Sequence, residues 1–141
     1  MKCDERLIEL LTSLFNGRYD KAGDPYINHL LFVGRLSYRY ARAIHCEHCE
    51  LAYVIGLCHD RYEDLDQHAI DQVNELITQL YPDQYQQIVH CIQLLTHDRS
   101  VQYRDYLAIV KTSKLATIVK AADTYHNSMI SRFDRRLYTD E

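Results

Sequence analysis

The sequence is short of the residues that interrupt helices. It has four glycines and two prolines in 141 residues, and no stretch sustains the apolar–polar alternation of half-buried strands, so the chain reads as all-helical. Tryptophan is absent, while there are twelve tyrosines, a usage from which no function follows. An excess of positive charge is also missing. The formal net charge of −4 gives no general attraction to nucleic acid or to an anionic membrane, and an acidic chain is compatible with a cation site. No apolar run approaches the roughly 18–20 residues of a membrane span. The opening MKCDERLIELL carries acids early and shows no small-residue cleavage site, so no secretory signal is expected there. The five cysteines, at 3, 46, 49, 58 and 91, are odd in number. Reduced thiols and a cytoplasmic location are the expectation.

What is present is a set of helical periodicities. At 47% hydrophobic residues the chain can bury the core of one domain, taken as 1–141. Leu7, Ile8, Leu11 and Leu14 predict a helix over about 4–15. The stretch NGRYDKAGDP follows as a loop, expected to leave Arg18 and Lys21 exposed and flexible. A second helix is predicted over about 25–44, with Pro25 tolerated in its first turn. A third, over about 48–59, is apolar nearly all round and so belongs at the centre. Further helices are predicted at about 67–80, 83–97, 101–110 and 113–130, the last with Ser113 as its N-cap.

The third helix ends oddly. Its apolar run LAYVIGLC leads into His59, Asp60, Arg61, Tyr62, Glu63 and Asp64. Acids at a helix C-terminus oppose its dipole by a few tenths to about 1 kcal/mol each. A bound cation would offset this. Two further residues join the pattern. His29 shares a helix face with Val33, Leu36 and Tyr40 and should point inward; by itself it fits a core histidine bonded to a carbonyl. Asp123 lies on or beside the stripe of Leu115, Ile118, Ala122 and Met129; by itself it fits an ion pair with Lys120 or with an arginine elsewhere. Together they offer two imidazoles and two carboxylates. That set suits Mn²⁺, Fe²⁺ or Zn²⁺ better than Mg²⁺ or Ca²⁺. His59 and Asp60 are sequence neighbours about 100° apart on a regular helix, so both can face one ion only where the helix ends and the backbone turns.

His29, His59-Asp60 and Asp123 resemble the H…HD…D signature of the HD superfamily of metal-dependent phosphohydrolases. More narrowly, GDPYINH, HDRYED and VKAADTYHN resemble motifs of the (p)ppGpp hydrolase domain of the RelA/SpoT family, and LLTHDRSVQYRDYLAIV resembles its segment before the last motif. The resemblance covers about 18–130 and leaves no room for a synthetase domain, as in a stand-alone small alarmone hydrolase. It implies a compact bundle of about six to eight helices. It also implies one divalent ion, usually Mn²⁺, held by His29, His59, Asp60 and Asp123. Glu63 and Asp64 would be the catalytic acids that position and activate water; without the resemblance they fit a solvated loop or an N-cap pair. Asn127 would lie near the nucleotide, and otherwise fits a helix cap. The implied partner is a small nucleotide, with neither nucleic acid nor membrane; a homo-oligomer is left open.

The chain departs from that family in two places. A basic pair usual ahead of G-x-P-Y is replaced by Asp20 and Lys21, with Arg18 standing eleven residues before His29. Arg18 or Lys21 could therefore contact base or phosphate. The arginine and threonine usual after the asparagine are replaced by Met129 and Ile130. The expected activity is 3′-pyrophosphohydrolysis of guanosine 3′,5′-bis(diphosphate). The alternatives are another nucleotide substrate (an adenine alarmone, NADPH or a deoxynucleotide monophosphate) or an idle HD fold that senses nucleotides or binds proteins.

Other groups weigh less. HCEHCE, residues 45–50, offers thiols and imidazoles too close in sequence for a tetrahedral zinc site and reads as a turn with reduced cysteines. His68, His90 and His97 could serve a second metal, which the four-residue set does not require. Arg99, Arg104, Lys111 and Lys120 could form a cationic rim for an anionic substrate.

Overall fold

The computed structural model describes residues 2–132, with side chains described over 5–61 and 64–130. Within them the chain is an all-α bundle: α1 (Lys2–Leu14), α2 (Tyr26–Ala43), α3 (Cys49–Cys58), α4 (Arg61–Asp64), α5 (Gln67–Leu80), α6 (Tyr85–Leu95), α7 (Tyr103–Val110) and α8 (Lys114–Arg132). The helical periodicity is realised where it was read. Leu7, Leu11 and Phe15 are buried one turn apart, as are Ile70, Val73 and Ile77 on α5, and Ile88 and Ile92 on α6. Ser113 Oγ accepts a hydrogen bond from the Ala116 amide at 3.1 Å, three residues into α8, as an N-cap does. Asp66 caps α5 in the same way, accepting from the Ala69 amide at 2.9 Å.

Three helices matter most for function. Every residue of α3 from Leu51 to Cys58 is buried, and α3 packs against α2, α6 and α8. At the α2–α3 crossing two glycines meet. A Cβ on Gly56 would sit 2.8 Å from the Gly34 Cα, and one on Gly34 would sit 3.0 Å from a Leu57 methyl. Hydrogen in place of Cβ lets these backbones approach closely, which brings His29 on α2 near His59 at the end of α3. α8 packs against both, and its buried stripe of Leu115, Ile118, Val119 and Ala122 runs directly into Asp123.

Two local features differ from the sequence reading. The chain does not pass from α3 into a loop. His59 keeps α-helical angles (φ −62°, ψ −26°) as the residue after α3, Asp60 turns (φ −95°, ψ 5°), and α4 starts at once. Asp60 therefore stands at the start of a new helical turn, and Glu63 and Asp64 are that turn's last two residues. The 16–25 loop exposes Arg18 and Lys21 as expected, yet it is a closed, hydrogen-bonded structure. Tyr19 bridges to Pro25, Asp20 Oδ1 accepts from the amides of Ala22 (2.9 Å) and Asp24 (3.0 Å), and Gly17 and Gly23 supply φ values of 80° and 88°. Pro25 stands just outside α2, at its N-cap.

Candidate metal centre

His29, His59, Asp60 and Asp123 each turn one donor atom to a common point, all four atoms lying within 4.8 Å of one another. His29 Nε2 is 3.0 Å from Asp123 Oδ1 and 3.6 Å from Asp60 Oδ2. His59 Nε2 is 3.0 Å from Asp60 Oδ2 and 3.1 Å from Asp123 Oδ1. The turn between α3 and α4 is what lets neighbouring His59 and Asp60 face one target. Both histidines and Asp123 are buried. The solitary readings of His29 and Asp123 are only partly realised. His29 bonds to another histidine rather than a carbonyl, while Lys120 Nζ does lie 3.6 Å from Asp123 Oδ2.

The surroundings hold these donors in place. His59 Nδ1 donates to the Gly56 carbonyl at 2.6 Å, which leaves Nε2 facing the carboxylates. His29 Nδ1 lies 2.7 Å from His126 Nδ1. The Tyr26 hydroxyl donates to Asp60 Oδ2 at 2.5 Å, and Asn127 Nδ2 donates to Asp123 Oδ1 at 3.1 Å. A metal-binding set is commonly oriented by such outer contacts. The donors therefore fit a divalent cation: two imidazole nitrogens and two carboxylates, convergent, screened from solvent and individually braced.

The electrostatics agree. Burial alone would raise the Asp60 carboxyl, but the His59 charge and hydrogen bonds from His29 and His59 bring it well below its usual range. Asp123 is likewise raised by burial and pulled far down by its bonds to the two imidazoles. Burial opposes protonation of His29 and His59, and the two carboxylates overcome it, raising His29 and carrying His59 well above 6.5. Protons thus balance the carboxylates when no cation does. Tyr26 is pushed far up, first by burial and then by Asp60, so it stays a neutral donor. His126 is lowered, by burial first and then by His29.

Above the cluster opens a cavity of about 560 Å³. Tyr26, Asp64 and Asn127 contribute to it on one hand; His97, Arg99, Tyr103, Tyr106 and Lys120 do so on the other. Lys120 Nζ stands 5.7 and 5.3 Å from the ring centroids of Tyr103 and Tyr106. The Tyr106 ring also stacks on His97 at 4.5 Å, with its hydroxyl tied to the Leu95 carbonyl at 2.6 Å. Of the four cations read as a rim, Arg99 and Lys120 line this cavity; Arg104 and Lys111 are exposed outside its lining. Arg18 donates to the Asp64 backbone carbonyl and borders a smaller hollow of about 320 Å³ with Tyr19, Tyr26 and Asp64. Lys21, Asn127 and Ile130 border another of about 430 Å³ that also touches His29. The Glu63 side chain lies outside the described residues.

The remaining candidates do not gather. Among the described residues no second group of three or more metal-ligating side chains forms. His97 Nε2 donates to the Val101 carbonyl at 2.8 Å, and Cys49 Sγ donates to the Cys46 carbonyl within the turn between α2 and α3. No helix among the described residues is long and apolar enough to cross a membrane. Sequence reasoning gave no role to Tyr26 or His126, although both stand inside the quoted motifs.

The HD domain family matches residues 26–128, well over half of the chain, and the chain belongs to that family. Membership makes it a metal-dependent phosphohydrolase in general terms, and the His/Asp cluster is a group able to hold one ion. No curated protein and no solved structure matches the chain.

Proposed function

We propose that this chain hydrolyses (p)ppGpp-like nucleotides, releasing pyrophosphate from the 3′ position. One Mn²⁺ or similar divalent ion would be held by His29, His59, Asp60 and Asp123. The observation that carries the reading is the joining of three parts in one cavity: the buried donor set, the acid Asp64, and the cations Lys120 and Arg99. An acidic protein needs local positive charge to accept a polyphosphate, and Lys120 is kept protonated, its burial being outweighed by Tyr106 and Asp123.

When bound, the cation would lower the pKa of water and polarise a phosphoryl oxygen. Glu63 and Asp64 would orient the attacking water and take its proton. The water oxygen bonds to phosphorus, the bond from phosphorus to the ribose 3′ oxygen breaks, and that oxygen leaves with a proton. Lys120 and Arg99 would balance the phosphate charge. Lys21 and Asn127, with Arg18 nearby, would position the nucleoside.

A second reading keeps the site and changes the nucleotide. Its motive is Ile130, which is buried and borders the hollow shared by Lys21 and Asn127. An apolar side chain offers no hydrogen bond to a base or sugar, and neither does Met129. A guanine-over-adenine preference in kcat/KM below roughly 100-fold is expected, because polar-edge readout gives far more.

The test is a panel of (p)ppGpp, adenine alarmones, NADPH and deoxynucleotide monophosphates incubated with Mn²⁺-loaded protein. Pyrophosphate released from (p)ppGpp is the expected product. Orthophosphate from NADPH or from monophosphates would move the assignment to the second reading. Binding without turnover would leave a nucleotide sensor.

A further inference from the structure

His29 and His59 are held from behind in different ways. His59 leans on a backbone carbonyl, which can only accept. His29 leans on the Nδ1 of a second imidazole, 2.7 Å away, and an imidazole nitrogen can either donate or accept. A ligand histidine needs its lone pair on the atom facing the metal. His29 Nε2 faces the carboxylates, so its one ring proton must sit on Nδ1. Two nitrogens at that distance cannot both carry protons. The His126 nitrogen must therefore present its lone pair, with the His126 proton on Nε2.

The geometry points to His126 as the positioning residue that sets the tautomer and ring orientation of His29, an assignment that rests on reading the cluster as a metal centre. The ring centroids are 5.0 Å apart while the facing nitrogens are only 2.7 Å apart, which sets the rings edge to edge as an N–H···N bond needs; their planes lie within 18° of each other. Phe32 stacks on the His126 ring at 4.1 Å, its plane 20° away, which limits ring rotation. α8 thus brings three things to one place: Asp123 toward the metal point, His126 three residues on behind His29, and Asn127 four residues on against Asp123. Positions i, i+3 and i+4 share a helix face.

Two variants separate the hydrogen bond from the packing. His126→Phe keeps a ring between Phe32 and His29 and removes the acceptor. His126→Asn removes the ring and keeps an acceptor oxygen at the place of Nδ1. Co²⁺ affinity of each apoprotein, measured by titration and by the cobalt absorption spectrum, needs no substrate. The expected result is a 10–100-fold loss for the phenylalanine variant, in line with outer-contact losses elsewhere, and near-complete rescue by asparagine. Long-range ¹H–¹⁵N spectra of the Zn²⁺-loaded native protein should show His29 protonated at Nδ1 and His126 at Nε2, a readout independent of whether either variant folds. Equal affinity for native and phenylalanine proteins, an asparagine variant as weak as phenylalanine, or a His126 Nδ1 proton would overturn the assignment while leaving the metal centre standing. Native protein that takes up no metal would overturn both. Failure of the nucleotide panel with this metal phenotype intact would touch only the substrate reading.

Discussion

His29, His59 and Asp123 are at most 9% exposed, stand on or directly after helices packed against several others, and each has a bracing hydrogen bond. Arg18 and Lys21, on the rim, are exposed, border the smaller hollows beside the cavity, and belong to a loop whose own hydrogen bonds set its shape. The floor of the cavity is therefore part of the core, and its geometry is over-determined by packing. The rim is set by a turn and by long side chains whose position a substrate can still change. A fault in the floor should be felt as lost metal and lost stability, and a fault in the rim as altered kinetics on an intact protein.

The sharpest separation of the two comes from Glu63→Gln. The amide preserves shape but cannot accept a proton, so kcat should fall by about 10²–10⁴-fold while metal content stays at the native level. Near-normal turnover would move the proton-accepting role to Asp64 or leave the reaction to hydroxide alone.

Next in size is Gly56→Ala. The added methyl would meet the Gly34 Cα at 2.8 Å, and overpacking of this kind costs about 1–3 kcal/mol. Because Gly56 also supplies the carbonyl that orients His59, thermal melting and metal affinity should fall together. A variant with lowered melting but native metal affinity would show that the crossing is not what positions the floor.

pH should act on the floor in two opposed ways. In the metal-free protein, raised His29 and His59 contribute stability below pH 6.5, and this is lost as pH rises through their folded values. Lowered Asp60 and Asp123 contribute above pH 3.8, and this is lost as pH falls through theirs. The cluster therefore favours the metal-free fold most between these limits. Metal needs unprotonated Nε2 atoms, so the rise in Tm caused by Mn²⁺ should grow as pH rises past neutrality. Melting curves with and without metal across pH 5–8.5 measure it; a constant metal effect would contradict the proton balance drawn for this site.

The smallest effect belongs to the rim. Lys21→Ala should raise KM several-fold and lower kcat less, because a contact equal in ground and transition states gives uniform binding. Added salt should shrink the difference, since the charge is exposed. An effect confined to kcat would place Lys21 closer to the reacting phosphate.

The same division decides what the sequence discloses. Helix positions follow from apolar spacing, and Ser113 can be read as a cap because capping is local. His29, His59, Asp60 and Asp123 stand out because buried charge needs a reason. The one-turn helix Arg61–Asp64 is too short to leave a periodic signal. Asp20 looks like a lost substrate contact until its carboxylate is seen closing the loop. His126 and Tyr26 carry no spacing rule, since their partners come from other helices and only the α2–α3–α8 packing brings them together. Arg104 and Lys111 look as suited to a phosphate as Lys120 does, and only the orientation of α7 and α8 separates them.

Floor, rim and chemistry alike depend on four side chains from α2, the α3–α4 turn and α8 making a single-cation centre. Metal analysis of protein purified with Mn²⁺ and then desalted tests it directly, with native protein compared to Asp60→Ala and His59→Ala. One equivalent per native chain and little or none in either variant is the predicted result, because each change removes one of four donors and leaves a buried partner uncompensated. A full equivalent retained by either variant, or none in the native protein, would contradict it.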